Sequence, residues 1–136
     1  MQLADRRTTK YVKAVKAAMS ERGHATNANI VNDLRQKFPG LSATTVHRVT
    51  QRLYEDGELR KAPKSLDGAV RYDGNIEAHD HFMCNMCGEV KDVLLPQACR
   101  SIIKCNLEDC TISGPLTISG TCSKCSKKWK EMNGTY

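Results

Sequence analysis

Two C-x-x-C pairs, Cys84/Cys87 and Cys122/Cys125, constrain the fold of this chain more than any other feature. Each pair can turn two sulfurs toward one point, and two pairs close a tetrahedral four-thiolate zinc site. Seven cysteines is an odd count, which suits a disulfide framework poorly; in a reducing compartment paired cysteines more often hold metal. A redox dithiol is the competing reading of a lone pair. That motif normally opens a helix, whereas "HFMC" and "GEVKDVLL" around the first pair read as strand. Structural zinc is the expectation, its binding energy stapling the last segment back onto the first hairpin.

Harder donors crowd beside the first pair in "HDHFMCNMCGEVKD". His79 and His81 are two apart, so on a strand they point to one face. Asp73 lies just upstream and Asp92 just downstream, each within reach through a hairpin. Imidazole and carboxylate without thiolate suit ferrous iron or manganese, although zinc can enter such a site. A hydrated strand with two surface histidines explains the same residues, and on their own they leave both readings open.

With 136 residues and a hydrophobic fraction of 40%, the chain can form one domain or two small ones with a core. Charge divides it. Residues 1–71 carry fourteen Lys/Arg against seven Asp/Glu, and residues 72–136 carry seven against eight. A basic front and a near-neutral, cysteine-rich back suggest separate jobs, and we place the domains at 1–72 and 73–136. No apolar run approaches a membrane span, and "MQLADRRTTKYVKAV" lacks a signal-peptide stretch, so a cytoplasmic protein without membrane contact is expected.

The front half reads as three helices and a hairpin. In "TKYVKAVKAAMSERG" Tyr11, Val15 and Met19 recur every fourth residue and Gly23 is the stop. In "TNANIVNDLRQKFPG" Thr26 or Asn27 caps the start, Ile30, Leu34 and Phe38 form the stripe, and Pro39-Gly40 ends it. In "LSATTVHRVTQRLYEDG" Ser42 is the cap, with Val46, Val49 and Leu53 inward. Thr45, His47, Arg48, Gln51 and Arg52 then face outward. "ELRKAPKSLDGAVRYDG" reads as two strands around Asp67-Gly68, tipped by Lys61 and Lys64. This is the outline of a winged helix-turn-helix whose third helix can enter a major groove, with Arg and Gln on base edges and the basic residues on phosphates. An ordinary helical bundle with a polar face is the plainer alternative.

The order winged helix, "HDH", C-x-x-C, helix, strand, C-x-x-C resembles the ferric uptake regulator family of bacterial metal-dependent repressors. Thr44-Thr45-Val46-His47-Arg48 is similar to its recognition-helix signature, and His79, His81, Cys84 and Cys87 keep its H-x-H-x-x-C-x-x-C core. The family's sensory metal also takes a histidine after the first helix, matched by His24. Peroxide-sensing members commonly complete the set with two aspartates and iron sensors with glutamates. Asp73 and Asp92 stand at the matching positions, so the resemblance gives a regulatory Fe2+ or Mn2+ site of His24, Asp73, His79, His81 and Asp92. It also departs: His47 and Thr44 replace the usual tyrosine and alanine, and Thr9-Lys10-Tyr11 lies where a Pro-Gln-Arg is usual. A further metal site of some members would need ligands where this chain has Ala78, Cys99 and Gly114. The zinc-sensing branch often uses a cysteine in the sensory site, and none precedes Cys84.

The resemblance implies an α+β chain: an N-terminal winged helix-turn-helix followed by a small α/β dimerisation domain with the four-cysteine zinc site. It implies a homodimeric repressor on a double-stranded DNA operator, its "GPLTISG" segment offering a strand for the dimer. Peroxide would be sensed by iron-catalysed oxidation of His24 and His79, a self-modification and not enzymatic turnover. An iron- or manganese-responsive repressor without peroxide sensing is the alternative within the family. A zinc-ribbon RNA-binding module and a thiol-disulfide enzyme lie outside it. Cys99 and Cys105, in "PQACRSIIKCNLEDC", are expected to be buried in a helix with Ile102 and Ile103, with Cys110 after its end. "KKWKEMNGTY" reads as either a short helix or a frayed end.

Overall fold

The computed structural model describes residues 4–108 and 110–133. They form two compact units, divided between Ile76 and Glu77, and each contains helices and a three-stranded sheet in an α+β architecture. None of the described helices is long and apolar enough to cross a membrane.

In the first unit α1 (Ala4–Arg22) starts earlier than its apolar stripe suggested and buries Val15, Ala18 and Met19. Gly23 ends it at φ +78°, a left-handed conformation that side chains disfavour, and the chain turns directly into β1 (His24–Thr26). Thr26 caps α2 (Asn27–Leu34) through a reciprocal box. The Asn29 N–H donates to Thr26 Oγ1 (3.1 Å) and the Thr26 N–H donates to Asn29 Oδ1 (3.0 Å). Ile30 and Leu34 are buried, but Phe38 lies beyond the helix and packs edge-on against Tyr11, ring centroids 5.6 Å apart. Ser42 caps α3 (Ala43–Glu55), which buries Val46, Val49, Thr50 and Leu53. β2 (Arg60–Ala62) and β3 (Arg71–Asp73) pair antiparallel across a turn in which the Gly68 N–H donates to Ser65 O (2.9 Å). β1 joins the other side of β3, giving the order β1-β3-β2. Helices and hairpin together make a winged helix-turn-helix around one apolar core.

In the second unit β4 (Asp80–Cys84) is central, with β5 (Val90–Val93) antiparallel on one side and β6 (Thr117–Gly120) parallel on the other. Asp80, only 1% exposed, joins three segments: its Oδ1 accepts from the Leu116 N–H (2.8 Å) and from Arg100 Nη2 on α4 (Gln97–Cys105). Burial works to raise the Asp80 pKa, but the Leu116 N–H and the Arg100 guanidinium outweigh it and hold the carboxyl below its usual range. The tail forms α5 (Ser123–Asn133), and residues 134–136 of "KKWKEMNGTY" lie outside the described residues.

Helix α4 corrects one expectation. It buries no residue: Ile102 is 65% exposed, Cys105 is exposed and Cys99 is only half-buried. Among the described residues of α4 none is buried, so its cysteines are not core thiols here.

Ile30 is fully buried in the first unit. Ile30→Ala should cost about 3 kcal/mol, seen as a lower denaturant midpoint with an unchanged slope. A loss below about 1 kcal/mol would mean that the core collapses into the vacancy.

Candidate metal centres and nucleic-acid face

Four sulfurs are brought together at the end of β4. Cys84 Sγ accepts from the N–H groups of Met86 (3.4 Å), Cys87 (3.4 Å) and Cys122 (3.3 Å). Gly88, at φ +78°, closes the first knuckle by donating its N–H to Cys84 O (2.9 Å). The parallel register Cys84↔Gly120 delivers Cys122 beside Cys84. The second pair, unlike the first, opens a helix: Cys125 lies in the first turn of α5, its N–H donating to Cys122 Sγ (3.5 Å).

All four sulfurs lie within 4.8 Å of one another, with Cys87 and Cys122 3.8 Å apart. A tetrahedral zinc with Zn–S bonds of about 2.3 Å requires sulfur edges of about 3.8 Å. The donor set fits zinc. The N–H groups of Cys87 and Cys122 pull the Cys84 thiol down to about 6, while its contact with Cys122 and its burial push Cys125 up to about 12. A cation must therefore displace the last protons. A reactive dithiol needs its acidic sulfur accessible. Here the acidic sulfur, Cys84, is fully buried, and the exposed Cys87 has a raised pKa.

The harder donors form two sets, one in each unit, and in both an antiparallel register opposes a histidine to an aspartate. In the first unit the pair is His24↔Asp73, with Nε2 to Oδ2 3.5 Å. The Asn75 N–H donates to Asp73 Oδ1 (2.9 Å), which leaves Oδ2 turned to the imidazole. In the second unit the pair is His81↔Asp92, and His79 sits just before β4 with its ring centroid 4.5 Å from that of His81. Asp92 Oδ1 lies 3.2 Å from His79 Nε2 and 3.6 Å from His81 Nε2.

His79 Nδ1 is 2.6 Å from the carbonyl of Glu77. A carbonyl only accepts, so Nδ1 donates to it and Nε2 is turned toward Asp92, the orientation in which a metal-bound histidine offers its second nitrogen. Neither ring is a surface histidine: the side chains of His79 and His81 are 8% and 4% exposed. Nitrogen and carboxylate converge here without thiolate, which fits ferrous iron, manganese or zinc. Sequence reasoning missed the Glu77 carbonyl and the Asn75 N–H, because backbone groups carry no residue-type signal.

On α3 the outward set is in place. His47, Arg48 and Arg52 are exposed, and Thr45 and Gln51 are half-buried. Thr45 Oγ1 lies 2.9 Å from the capping hydroxyl of Ser42, and Gln51 donates to Glu55 Oε1 (3.0 Å). On the hairpin Lys61 lies over the Tyr54 ring, 4.6 Å from its centroid, and Lys64 is exposed.

The sulfur cluster generates a stoichiometry. The purified full chain should hold one zinc, and Cys122→Ser should lose it together with the thermal transition of the second unit. Because protons compete for thiolates, zinc retention should fall as pH falls. Zinc content unchanged by Cys122→Ser would remove the four-sulfur site.

A family model described as the ferric uptake regulator family matches residues 4–109. The peroxide-responsive repressor PerR of Staphylococcus epidermidis is 32% identical over 79 residues, covering 58% of this chain and 52% of that protein. The chain thus spans about half the length of the curated relatives it matches. Among solved structures, the ferric uptake regulator Fur of Helicobacter pylori superposes with a TM-score of 0.71 at 22% identity, covering 86% of this chain and 80% of that one. The Campylobacter jejuni peroxide stress regulator gives 0.68 at 18% identity, covering 92% and 100%. At these identities the structural likeness speaks for the fold alone. The family match, which extends from α1 through α4, carries the assignment: the chain belongs to the ferric uptake regulator family.

Proposed function

We propose that this protein is a metal-dependent transcriptional repressor that binds duplex DNA as a homodimer and senses peroxide. The observation that carries the reading is the pair of histidine–aspartate sets, His24 with Asp73 and His79 and His81 with Asp92, built by strand register in the two units. In this reading one cation takes all five donors and so couples the DNA-binding unit to the other. The aspartate choice and the 32% identical peroxide-responsive relative favour the peroxide branch.

Each group has a defined task. Thr45, His47, Arg48, Gln51 and Arg52 meet the major groove, and Lys61 and Lys64 hold phosphates. Cys84, Cys87, Cys122 and Cys125 hold zinc and keep β4 in place. Leu94, Ile102 and Ile118, 80%, 65% and 43% exposed in the single chain, supply apolar surface for a second copy. Such a dimer would set two recognition helices near the one-turn spacing of about 34 Å. Held by these five donors, ferrous iron would supply the electron that opens the O–O bond of hydrogen peroxide; in the net two-electron change one peroxide oxygen ends on a neighbouring imidazole and the other leaves as water. In this reading His24 and His79 take that oxygen, and an oxidised ring is a poorer ligand. The chain modifies itself and is not a turnover enzyme. Its place of action is the cytoplasm, where operator DNA lies.

The test uses the full, zinc-loaded chain. Manganese should raise duplex affinity by about 5- to 150-fold, a coupling of ordinary size, and His24→Ala should abolish that rise while zinc stays bound. Peroxide given to the ferrous protein should add one oxygen at His24 or His79, read by peptide mass spectrometry. Unmodified peptides with persistent DNA binding would leave an iron- or manganese-responsive repressor without peroxide sensing. Cation-independent duplex binding, or preference for RNA, would overturn the repressor reading.

A further inference from the structure

One side chain on the outer face of α3 has its orientation set from another helix. Asn27 opens α2, yet the cap is made by Thr26 and Asn29, and the Asn27 amide turns toward α3 instead. Thr50, fully buried, has three acceptors within reach of its one hydroxyl proton, and the nearest takes it: Asn27 Oδ1 at 2.8 Å, against the carbonyls of Val46 at 3.1 Å and His47 at 3.2 Å. With the oxygen held there, the amide nitrogen faces His47 Nδ1 at 3.4 Å. An amide nitrogen can only donate, so His47 Nδ1 accepts, and the neutral ring keeps its proton on Nε2. His47 is exposed and stands next to Arg48, so that Nε2–H lies on the side of the helix away from the core.

We propose that Asn27 is a positioning residue that holds His47 in the Nε2–H tautomer, making His47 a donor that selects guanine in the major groove. Guanine presents two adjacent acceptors there, N7 and O6; thymine presents only O4 beside its methyl group, cytosine an amino donor, and adenine an amino donor beside its N7, so a lone N–H meets the widest acceptor edge on guanine. A ring with the opposite tautomer would present an acceptor and prefer the amino-bearing bases. The buried Thr50 hydroxyl is therefore the root of a three-residue relay, Thr50 to Asn27 to His47, that ends in a base preference. A merely structural contact between α2 and α3 would leave the tautomer without consequence for DNA.

This inference rests on the DNA-binding reading above, and the experiment separates the two. The full, zinc- and manganese-loaded protein selects duplexes from a randomised pool, and long-range proton–nitrogen NMR reads the His47 tautomer at a pH where the imidazole is neutral. The wild type should carry the proton on Nε2 and enrich one guanine per half-site. Replacing that guanine by 7-deazaguanine should weaken binding about tenfold. Asn27→Asp turns an acceptor toward Nδ1, so the proton should move there and the selected base should shift to cytosine or adenine, with the salt dependence of affinity unchanged. Asn27→Ala should mix the tautomers and flatten the preference, which guards against an aspartate-specific folding defect. A wild-type proton on Nδ1, or an enriched base that survives both substitutions, would overturn the proposal. Metal-stimulated affinity without that guanine preference strikes this inference alone; no metal-stimulated affinity in the wild type strikes the repressor reading and this one with it.

Discussion

The second unit is held by sulfur and by one buried carboxylate because it has almost no apolar core of its own. Among its described residues the buried side chains of apolar class are Cys84 and Cys122, both members of the sulfur cluster. A unit this small cannot exclude enough surface from water to order itself by burial alone, which is why metal staples occur in such domains. β4 is fastened at both ends. Cys84 anchors its end within the cluster, and Asp80 anchors its beginning to Arg100 and the Leu116 N–H. Everything that β4 presents depends on those two fastenings.

Strand period explains what "HDH" is for. Alternate residues of a strand face opposite sides, so His79 and His81 share one side and Asp80 takes the other. The intervening aspartate is an anchor and no ligand. Antiparallel register then completes the donor set, as His81 opposes Asp92 just as His24 opposes Asp73. The same device appears once in each unit. It gives imidazole–carboxylate pairs a fixed separation without any loop having to hold them.

The first unit has the opposite balance. Its core is apolar and continuous, from Val15 and Met19 through Ile30 and Val46 to Tyr72, so it needs no metal to hold its helices together. Thr50 is the one polar side chain of α3 taken into that interior, and it is matched by Asn27. A polar group buried there has to be paired, and the pairing reaches the surface at His47. Packing and recognition are joined at that point.

Much of this was legible in the residues. Apolar spacing located α2, α3 and their buried faces, Thr26 and Ser42 were readable as caps, and paired C-x-x-C motifs named the four sulfurs. The five hard donors were legible as a set only through family resemblance. β1 is not legible in the sequence because three residues show no alternation, and α5 is not because "KKWKEMNGTY" lacks an apolar stripe. Ile102 and Cys105 were misjudged as core because helical spacing shows that a face is apolar and says nothing about whether anything covers it. Local chemistry is written residue by residue, so the sequence determined the elements, the caps and the ligand types. Register, the contact between Asn27 and His47, and the exposure of α4 arise between segments distant in the chain, and only the tertiary structure decided them.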